Sequence, residues 1–300
     1  MNIKQLNTMN NLVENYEIIL NNLKLTCSEI NSYKQIRTPK LNNLELVSLN
    51  LTAEYMSINT ELQLFRCLKG TYLESMIERS VYNKRRKKLF DYTESIRKHI
   101  SQMFAEFTDV FVVDSMPTPI CKYARAARSN ICSSYHIQPT FGHCASQKSK
   151  YFGYKFHAIC DKNGVFHSFD LAPAHIHDVN YLKDVKHHLN NCTLIGDRGY
   201  ISADYQIDLF THSNINLSVP MRKNQHNYVP FSKAKGKIRK RIETNFSQLH
   251  GQFLWATNHA KSFLGLATRL LSKITAFTMI QYLNFFVFKK PMNKIKTNLT

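Results

Sequence analysis

The spacing of apolar residues divides the chain into a helical first third and a remainder that mixes strands and helices. In the first hundred residues, apolar side chains recur every three or four positions, as on the buried stripe of a helix. One such stripe consists of Leu41, Leu44, Val47, Leu51 and Tyr55. The same spacing predicts further helices over 61–77 and 91–104. An all-helical N-terminal region over 1–104 is therefore predicted.

From residue 109 onward the pattern is typical of strands. Residues 109–114 (DVFVVD) form a short apolar run, which predicts a central strand covered on both faces and ending at Asp114. Alternation over 151–160, a turn and a return over 165–171 predict a hairpin. The remaining predicted elements are a helix over 178–189, a strand over 192–196, a helix over 203–212, a strand over 216–221 and a helix over 237–253. This order predicts a mixed α/β domain over 105–290, followed by a basic tail over 291–300.

The longest apolar segment, 274–288, predicts a buried core helix. It has 15 residues and contains Gln281 and Asn284, whereas a membrane-spanning helix needs roughly 20 apolar residues. The seven cysteines are odd in number and lack the close spacing of a secreted disulfide framework, and the first residues show no signal-peptide pattern. We therefore expect a reduced, cytoplasmic protein that does not bind membranes.

The charge balance points to a polyanionic partner. The 300 residues carry 40 Lys and Arg against 21 Asp and Glu, a formal charge of +19. A hydrophobic share of 43% excludes a wholly disordered chain, and nine glycines exclude a collagen-like one. Such an excess of positive charge favours nucleic acid, or an anionic membrane, as the partner.

Three carboxylates occupy positions expected of an active site. Asp114 and Asp197 each follow a predicted apolar strand, and Glu243 lies within a predicted helix. Ligands of open α/β sheets gather at the carboxyl ends of the strands, so Asp114 and Asp197 can converge there. Three oxygen donors favour Mg²⁺ or Mn²⁺ over Zn²⁺. Two such ions would clamp the attacking and leaving oxygens of a phosphoryl displacement.

Basic residues surround these acids and also form a run in the helical region. We expect them to contact DNA phosphates, although the run from Lys84 to Lys88 could instead be a solvated helix face. The predicted DNA-binding residues are Lys84, Arg85, Arg86, Lys87, Lys88, Arg198, Lys235, Lys237, Arg239, Lys240 and Arg241. Nucleic acid is therefore the favoured partner.

In combination, several segments resemble the DDE transposases of bacterial insertion sequences, most closely the nine-eight-two family. These segments are DSMPTPICKYARAARS, SKYFGYKFHAICDKNG, LIGDRGYIS and KRIETNFSQL. The resemblance extends through LNNLELVSLNLTAEYM and IERSVYNKRRKKLF, and thus over most of 35–290. Related transposases carry a Tyr-x2-Arg-x3-Glu-x6-Lys signature around the third acid. Arg239 and Glu243 match that signature, whereas Gly236 and His250 replace its Tyr and Lys.

The resemblance implies a ribonuclease H-like catalytic domain with Asp114, Asp197 and Glu243 as catalytic and metal-binding residues. It implies two divalent ions, Mg²⁺ or Mn²⁺, and double-stranded DNA as the substrate. The expected reaction is cleavage at the terminal inverted repeats followed by strand transfer into target DNA. A homodimer or larger assembly would hold the paired ends, in the bacterial cytoplasm and associated with the nucleoid when bound to DNA.

Other interpretations of these residues remain open at this stage. A catalytically idle, transposase-derived repressor and a simple metal-dependent nuclease would share the same composition. Asp178 is predicted to cap a helix, with an ancillary role at the active site as the alternative. Trp255 is predicted to pack in a core, with stacking on an unpaired base as the alternative. The segment from Cys121 to Cys144 contains Cys and His, but their spacing matches no common zinc pattern.

Overall fold

The structure, a computed structural model, describes residues 3–104, 109–145, 148–224 and 227–295, and its contacts form two units. The helical unit comprises Met1–Met103 and Gln248–Thr300, and the sheet unit comprises Phe104–Ser247. The predicted domain boundaries remain predictions, but the second contact boundary falls near residue 247 and not near residue 290. The reason is that the apolar helix near the C-terminus packs among the N-terminal helices.

The helices follow the predicted pattern with some differences in length. In chain order they are α1 (Ile3–Cys27), α2 (Asn43–Tyr55), α3 (Glu61–Cys67), α4 (Arg79–Lys88), α5 (Phe90–Gln102), α6 (Leu182–Val185), α7 (Ala203–Ser213), α8 (Lys233–Gly251) and α9 (Phe263–Tyr282). The predicted helix over 61–77 is wrong in length, because α3 ends at Cys67. Turns follow it, and Gly70 has a φ of 77°, a left-handed conformation that interrupts a helix.

The core of the helical unit forms around α9, which continues into a π-helical segment, Leu283–Val287. Within the described part of the chain, Phe263–Val287 is long and apolar enough to cross a membrane, but most of it is buried inside the protein. It therefore packs as a core helix, as predicted. Trp255 is 1% exposed, so it packs in a core and is not available for stacking on a base.

Strands β1 to β6 form one mixed sheet in the sheet unit. They are β1 (Val110–Cys121), β2 (Thr140–Cys144), β3 (Ser149–Asp161), β4 (Phe166–Pro173), β5 (Cys192–Ile195) and β6 (Ile215–Ser218). The spatial order is β2-β3-β1-β5-β6, and β4 also pairs with β3. β3 runs antiparallel to β1, β2 and β4, whereas β5 runs parallel to β1 and β6. This confirms the predicted hairpin, and β2 is a strand that the pattern did not predict.

The first strand is longer than predicted, so Asp114 does not end it. β1 continues to Cys121 because its pairing with β3 extends that far. Pro117 and Pro119 are tolerated because β5 pairs only with the first part of β1, over 110–112, which leaves one edge of the later part without a strand partner. Asp114 therefore lies within a paired strand, at the point where its parallel neighbour has ended.

Helix α8 packs on the sheet through its apolar side. Phe246 contacts Phe156 of β3, with ring centroids 6.1 Å apart. The buried Asn245 donates a hydrogen bond of 2.8 Å to the carbonyl oxygen of Gly164, in the turn after β3. Gly164 has a φ of 96°, which glycine adopts without strain. These contacts fix the face of α8 that carries Glu243 relative to the sheet.

Candidate active site

The register of two parallel strands brings Asp114 and Asp197 to one edge of the sheet. Val112 of β1 is paired with Ile195, the last residue of β5. Asp114 and Asp197 each lie two residues beyond that pair, and residues two apart along extended chain point to the same side. The convergence expected from strand ends is therefore present, although Asp114 is still within its strand.

Backbone amides hold both carboxylates in place. Ser115 N–H donates a hydrogen bond of 2.8 Å to Asp114 Oδ1. Asp197 precedes a 3₁₀ turn, Arg198–Tyr200, and its Oδ1 accepts a hydrogen bond of 2.7 Å from Gly199 N–H. Each carboxylate thus has one oxygen fixed by the backbone.

Burial, with a smaller effect of neighbouring carboxylates, makes both groups hard to ionise. Burial raises the pKa of Asp114 to about 7, and the nearby carboxylates of Asp197 and Asp178 add to this shift. Burial also raises the pKa of Asp197, with Asp178 and Glu243 as additional causes. The mutual repulsion shows that four carboxylates lie close enough to interact, so the cluster has an excess of negative charge.

Arg239 connects the third acid to the first. Its Nη2 lies 2.8 Å from Glu243 Oε1, one helical turn away on α8, and its Nη1 lies 4.0 Å from Asp114 Oδ2. Its positive charge opposes the upward pKa shifts of Asp114 and Asp197. Arg239 is therefore turned toward the acids, where it partly neutralises them.

Asp178 is the fourth acid, and its predicted role as a helix cap is wrong. It lies within a 3₁₀ turn, Asp178–Tyr181, whose N-cap is His177 and which has no side-chain cap. Asp178 Oδ1 instead accepts a hydrogen bond of 2.8 Å from the Ser115 hydroxyl and lies 3.0 Å from Lys155 Nζ. Its Oδ2 lies beside Gly199, where an added Cβ would be 3.3 Å away. Asp178 thus joins β1, β3 and the turn after β5.

A buried histidine completes the surroundings of Asp178. His157 of β3 stacks on Tyr181, with ring centroids 5.1 Å apart, and its Nδ1 lies 4.0 Å from Asp178 Oδ1. Burial lowers the pKa of His157 to about 4, so the ring is neutral near pH 7. His157 therefore supplies no positive charge to Asp178 at neutral pH.

The donor set fits a hard divalent cation by type and by charge. Carboxylate oxygens are the ligands that Mg²⁺ and Mn²⁺ prefer, and an added cation would stabilise the ionised form of Asp114, which burial and the neighbouring carboxylates disfavour. Among the described residues, however, no three His, Cys, Asp or Glu side chains are grouped closely enough to hold one ion. Arg239 lies between two of the acids in this arrangement. Asp114, Asp197 and Glu243 are thus candidate ligands that must move closer together to hold one ion.

Comparison with protein families identifies the family of the chain. The model of the transposase DDE domain matches residues 105–279, which is more than half of the chain. The chain belongs to the DDE transposase family. A comparison with curated proteins finds no similar sequence. The mixed sheet with flanking helices fits the ribonuclease H-like fold of a transposase domain, in agreement with the predicted fold class.

The basic residues near the acids of this transposase have different environments. Arg198, Lys237 and Lys240 are exposed, whereas Arg239 is turned toward the acids. Lys235 Nζ donates a hydrogen bond of 2.9 Å to Ser218 Oγ at the end of β6. Arg241 packs its methylene groups close to Gly164. Of this set, the three exposed side chains are the most accessible to DNA.

The basic run in the helical unit of the transposase is likewise heterogeneous. Lys84 and Lys88 are exposed and Lys87 is half-buried. Arg85 is buried and donates a hydrogen bond of 2.8 Å to the carbonyl oxygen of Leu41. Arg86 forms an ion pair of 2.9 Å with Glu61. The two arginines are thus engaged within the protein, whereas Lys84 and Lys88 are exposed to solvent.

Sequence reasoning missed Ser115 and Lys155 as partners of Asp178. A signal for Asp178 was nevertheless present in the predicted hairpin. β4 runs antiparallel to β3, which itself runs antiparallel to β1, so β4 and β1 point the same way. The chain leaves β4 at Pro173, level with Thr118 and thus beyond Asp114 in the direction in which β1 runs. Because β4 and β1 run in the same direction, a carboxylate shortly after β4, such as Asp178, was a candidate for the same site.

Proposed function

We propose that this DDE transposase binds the terminal inverted repeats of an insertion sequence of the nine-eight-two family, cleaves DNA there and transfers the strand to target DNA. Two observations support the proposal: Asp114 lies in β1 and Asp197 shortly after its parallel neighbour β5, and Arg239 lies near both Asp114 and Glu243. A homodimer or larger assembly would hold the paired ends. Such a protein would act in the cytoplasm, on the nucleoid.

In this proposal Asp114, Asp197 and Glu243 bind two divalent ions, Mg²⁺ or Mn²⁺. Such ions, when bound, activate the attacking oxygen and neutralise charge on the phosphate and the leaving oxygen. Asp114 and Asp197 are suited to the task because a backbone amide fixes one oxygen of each. Glu243 is exposed on α8, so it can change rotamer to join them.

The remaining residues position these acids and the DNA. Asp178, held by Ser115 and Lys155, fixes the backbone beside Asp114 and contributes negative charge next to Asp197. Arg239 orients Glu243 and limits the repulsion among the acids. The exposed side chains of Arg198, Lys237 and Lys240 would contact phosphates on either side of the cleaved bond. Positioning and charge neutralisation would supply most of the rate.

A cleavage and joining assay tests the proposal. A labelled duplex that carries the inverted repeats flanking the gene is incubated with an unlabelled target plasmid and with Mg²⁺, Mn²⁺ or EDTA. We expect metal-dependent nicking at the repeat boundary and joined products with the wild type, and neither with Asp197→Asn. Salt-sensitive binding without nicking would instead identify a transposase-derived repressor. Nicking without joined products would identify a simple nuclease.

A further inference from the structure

A second basic surface lies in the helical unit, away from the four acids in sequence. An open groove of about 680 Å³ runs between the segment 33–37 and helix α4. Besides the buried Arg85, five cationic side chains line this basic groove: Lys34, Arg37, Lys84, Lys87 and Lys88. Tyr33 and Ile36 lie beside them.

The basic groove lacks compensating charge. Its lining contains no Asp or Glu, and among the residues that the structure describes none of its five cations is within ion-pair distance of a carboxylate. The adjacent Arg86 differs, since it is paired with Glu61 at 2.9 Å. Like charges in one concavity repel each other, and an anionic ligand would relieve this repulsion. The charge therefore selects a polyanion.

The two walls of the basic groove are tied together from beneath. The buried Arg85 of α4 donates hydrogen bonds to the carbonyl oxygen of Leu41 at 2.8 Å and to Asn43 Oδ1 at 2.9 Å. Asn43 Nδ2 in turn donates to the carbonyl oxygen of Tyr33 at 2.9 Å. The segment that carries Lys34 and Arg37 is thus fixed to α4. A pre-organised cationic surface loses less entropy on binding than a flexible one.

The apolar residues of the groove favour nucleic acid over a membrane. Ile36 is fully exposed and Tyr33 is about a third exposed, so each can contact a sugar or a base edge. A helix that inserts into a membrane surface carries a continuous apolar face, whereas α4 (RSVYNKRRKK) is predominantly charged. The composition of the groove is therefore that of a phosphate-backbone contact that also contains Tyr33, Ile36 and Val81.

We propose that the basic groove binds the sugar–phosphate backbone of duplex DNA independently of its sequence. Lys84, Lys87 and Lys88 contact phosphates from α4, and Lys34 and Arg37 contact them from the opposite wall. Arg85 does not touch DNA, because it holds the two walls together. The choice of DNA as the polyanion rests on the proposed function.

Salt-dependent DNA binding of the full chain tests this proposal. The affinity for a labelled duplex is measured between 50 and 200 mM salt for the wild type and for the triple variant Lys84→Gln, Lys87→Gln, Lys88→Gln. Each phosphate contact contributes about 0.9 to the slope of log affinity against log salt, so the slope should fall by roughly 3. At 0.1 M salt this corresponds to a loss of roughly eightfold per lysine.

Two further variants make the test specific. The control Lys24→Gln, Lys69→Gln, Lys98→Gln removes the same charge from exposed positions of the helical unit outside the groove, and it should keep a slope close to the wild type. The variant Lys34→Gln, Arg37→Gln alters the opposite wall and should lower the slope by roughly 2. A lower salt slope in both groove variants supports the proposal, because a folding defect in one variant would not affect the other.

The outcomes separate this proposal from the proposed catalytic function. The groove proposal is overturned if the groove triple variant and the control triple variant lose the same amount of salt slope. It is also overturned if the slope is unchanged in both groove variants. If the groove triple variant keeps its DNA affinity but no longer binds anionic phospholipid vesicles, the groove binds a membrane surface and the proposal is overturned. Asp197→Asn should bind DNA with the wild-type slope and not cleave it. If the wild type fails to cleave while the groove effect persists, the catalytic proposal fails and the groove proposal stands.

Discussion

The Ser115 hydroxyl donates a hydrogen bond of 2.8 Å to Asp178 Oδ1, which links the residue after Asp114 to a fourth carboxylate. Ser115 N–H donates to Asp114 Oδ1 at the same distance, 2.8 Å, so one residue contacts both acids. Lys155 supplies the positive charge that keeps Asp178 beside Ser115. Asp178 is thus a positioning residue for Asp114.

Replacing Asp178 with Asn should lower cleavage by about 10- to 100-fold, as is usual for residues that orient a ligand. The amide keeps the size of the side chain but loses the charge that pairs with Lys155. The matched control is Asp208→Asn, because Asp208 forms a comparable ion pair of 2.9 Å with Lys186 elsewhere in the sheet unit. It should cleave as the wild type does.

The same pair of variants separates positioning from general stability. Mn²⁺ affinity, followed by calorimetry, should fall for Asp178→Asn and stay unchanged for Asp208→Asn. DNA affinity should be unchanged in both variants. Normal Mn²⁺ affinity and cleavage in Asp178→Asn would contradict the positioning role.

Metal-free stability should depend on pH through Asp114. Its pKa is raised to about 7 in the folded protein from 3.8, chiefly by burial, so the folded state holds the proton more tightly than the unfolded state. The free energy of unfolding in EDTA should therefore fall as the pH rises from about 4 to about 7, by up to about 4 kcal/mol from this group. Asp114→Asn should lack this part of the dependence and be more stable than the wild type at pH 7.5. Urea unfolding at several pH values measures both, and parallel pH profiles would refute the assignment.

Arg239 should matter more for cleavage than for DNA binding. Arg239→Gln removes the cation between Glu243 and Asp114, so we expect cleavage to fall at least tenfold with little change in the salt slope of binding. Lys240→Gln, one residue along and exposed, should show the reverse: a slope lower by about 1 and nearly normal cleavage at saturating DNA. Equal effects of the two substitutions on both measurements would show that Arg239 is an ordinary phosphate contact.

Arg85 should contribute to stability. Arg85→Gln leaves the carbonyl oxygen of Leu41 without its donor, which should lower the free energy of unfolding by about 1–3 kcal/mol. Lys84→Gln, at the exposed position before it, should change stability by less than about 0.5 kcal/mol. Urea denaturation of both variants at pH 7.5 measures these changes in the free energy of unfolding. A stable Arg85→Gln protein would mean that the walls of the basic groove are held by other contacts.

Much of the sheet unit was predictable because its local patterns agree with its topology. The apolar runs that end near Asp114 and at Asp197 predicted two neighbouring strand ends, and the strands pair in parallel as that arrangement requires. The sequence shows that Asp178 is an acid, but its neighbours Ser115 and Lys155 belong to β1 and β3, which are far away in sequence. Long-range pairing of this kind leaves no local signal.

The helical unit was less predictable for the same physical reason. Apolar periodicity predicted α2 as a helix, but the predicted single stripe is wrong, because every residue from Leu46 to Tyr55 is buried. Periodicity also does not indicate which helices pack together. Lys273 of α9 is buried against Glu54 of α2, a pairing between residues more than 200 positions apart. The position of Lys273 in an apolar helix did not indicate that Glu54 is its partner. The grouping of residues after 247 with the N-terminal helices therefore became visible only in the structure.

The most direct test of the account compares neutralised acids in one cleavage assay. Asp114→Asn, Asp197→Asn, Glu243→Gln and the control Asp208→Asn are each given the labelled repeat duplex with Mg²⁺, and DNA binding is measured in parallel. We predict that the first three bind DNA as the wild type does but give only background nicking, whereas the control cleaves normally. Retained nicking at the repeat boundary by any of the first three would remove that residue from the active site and contradict the central claim.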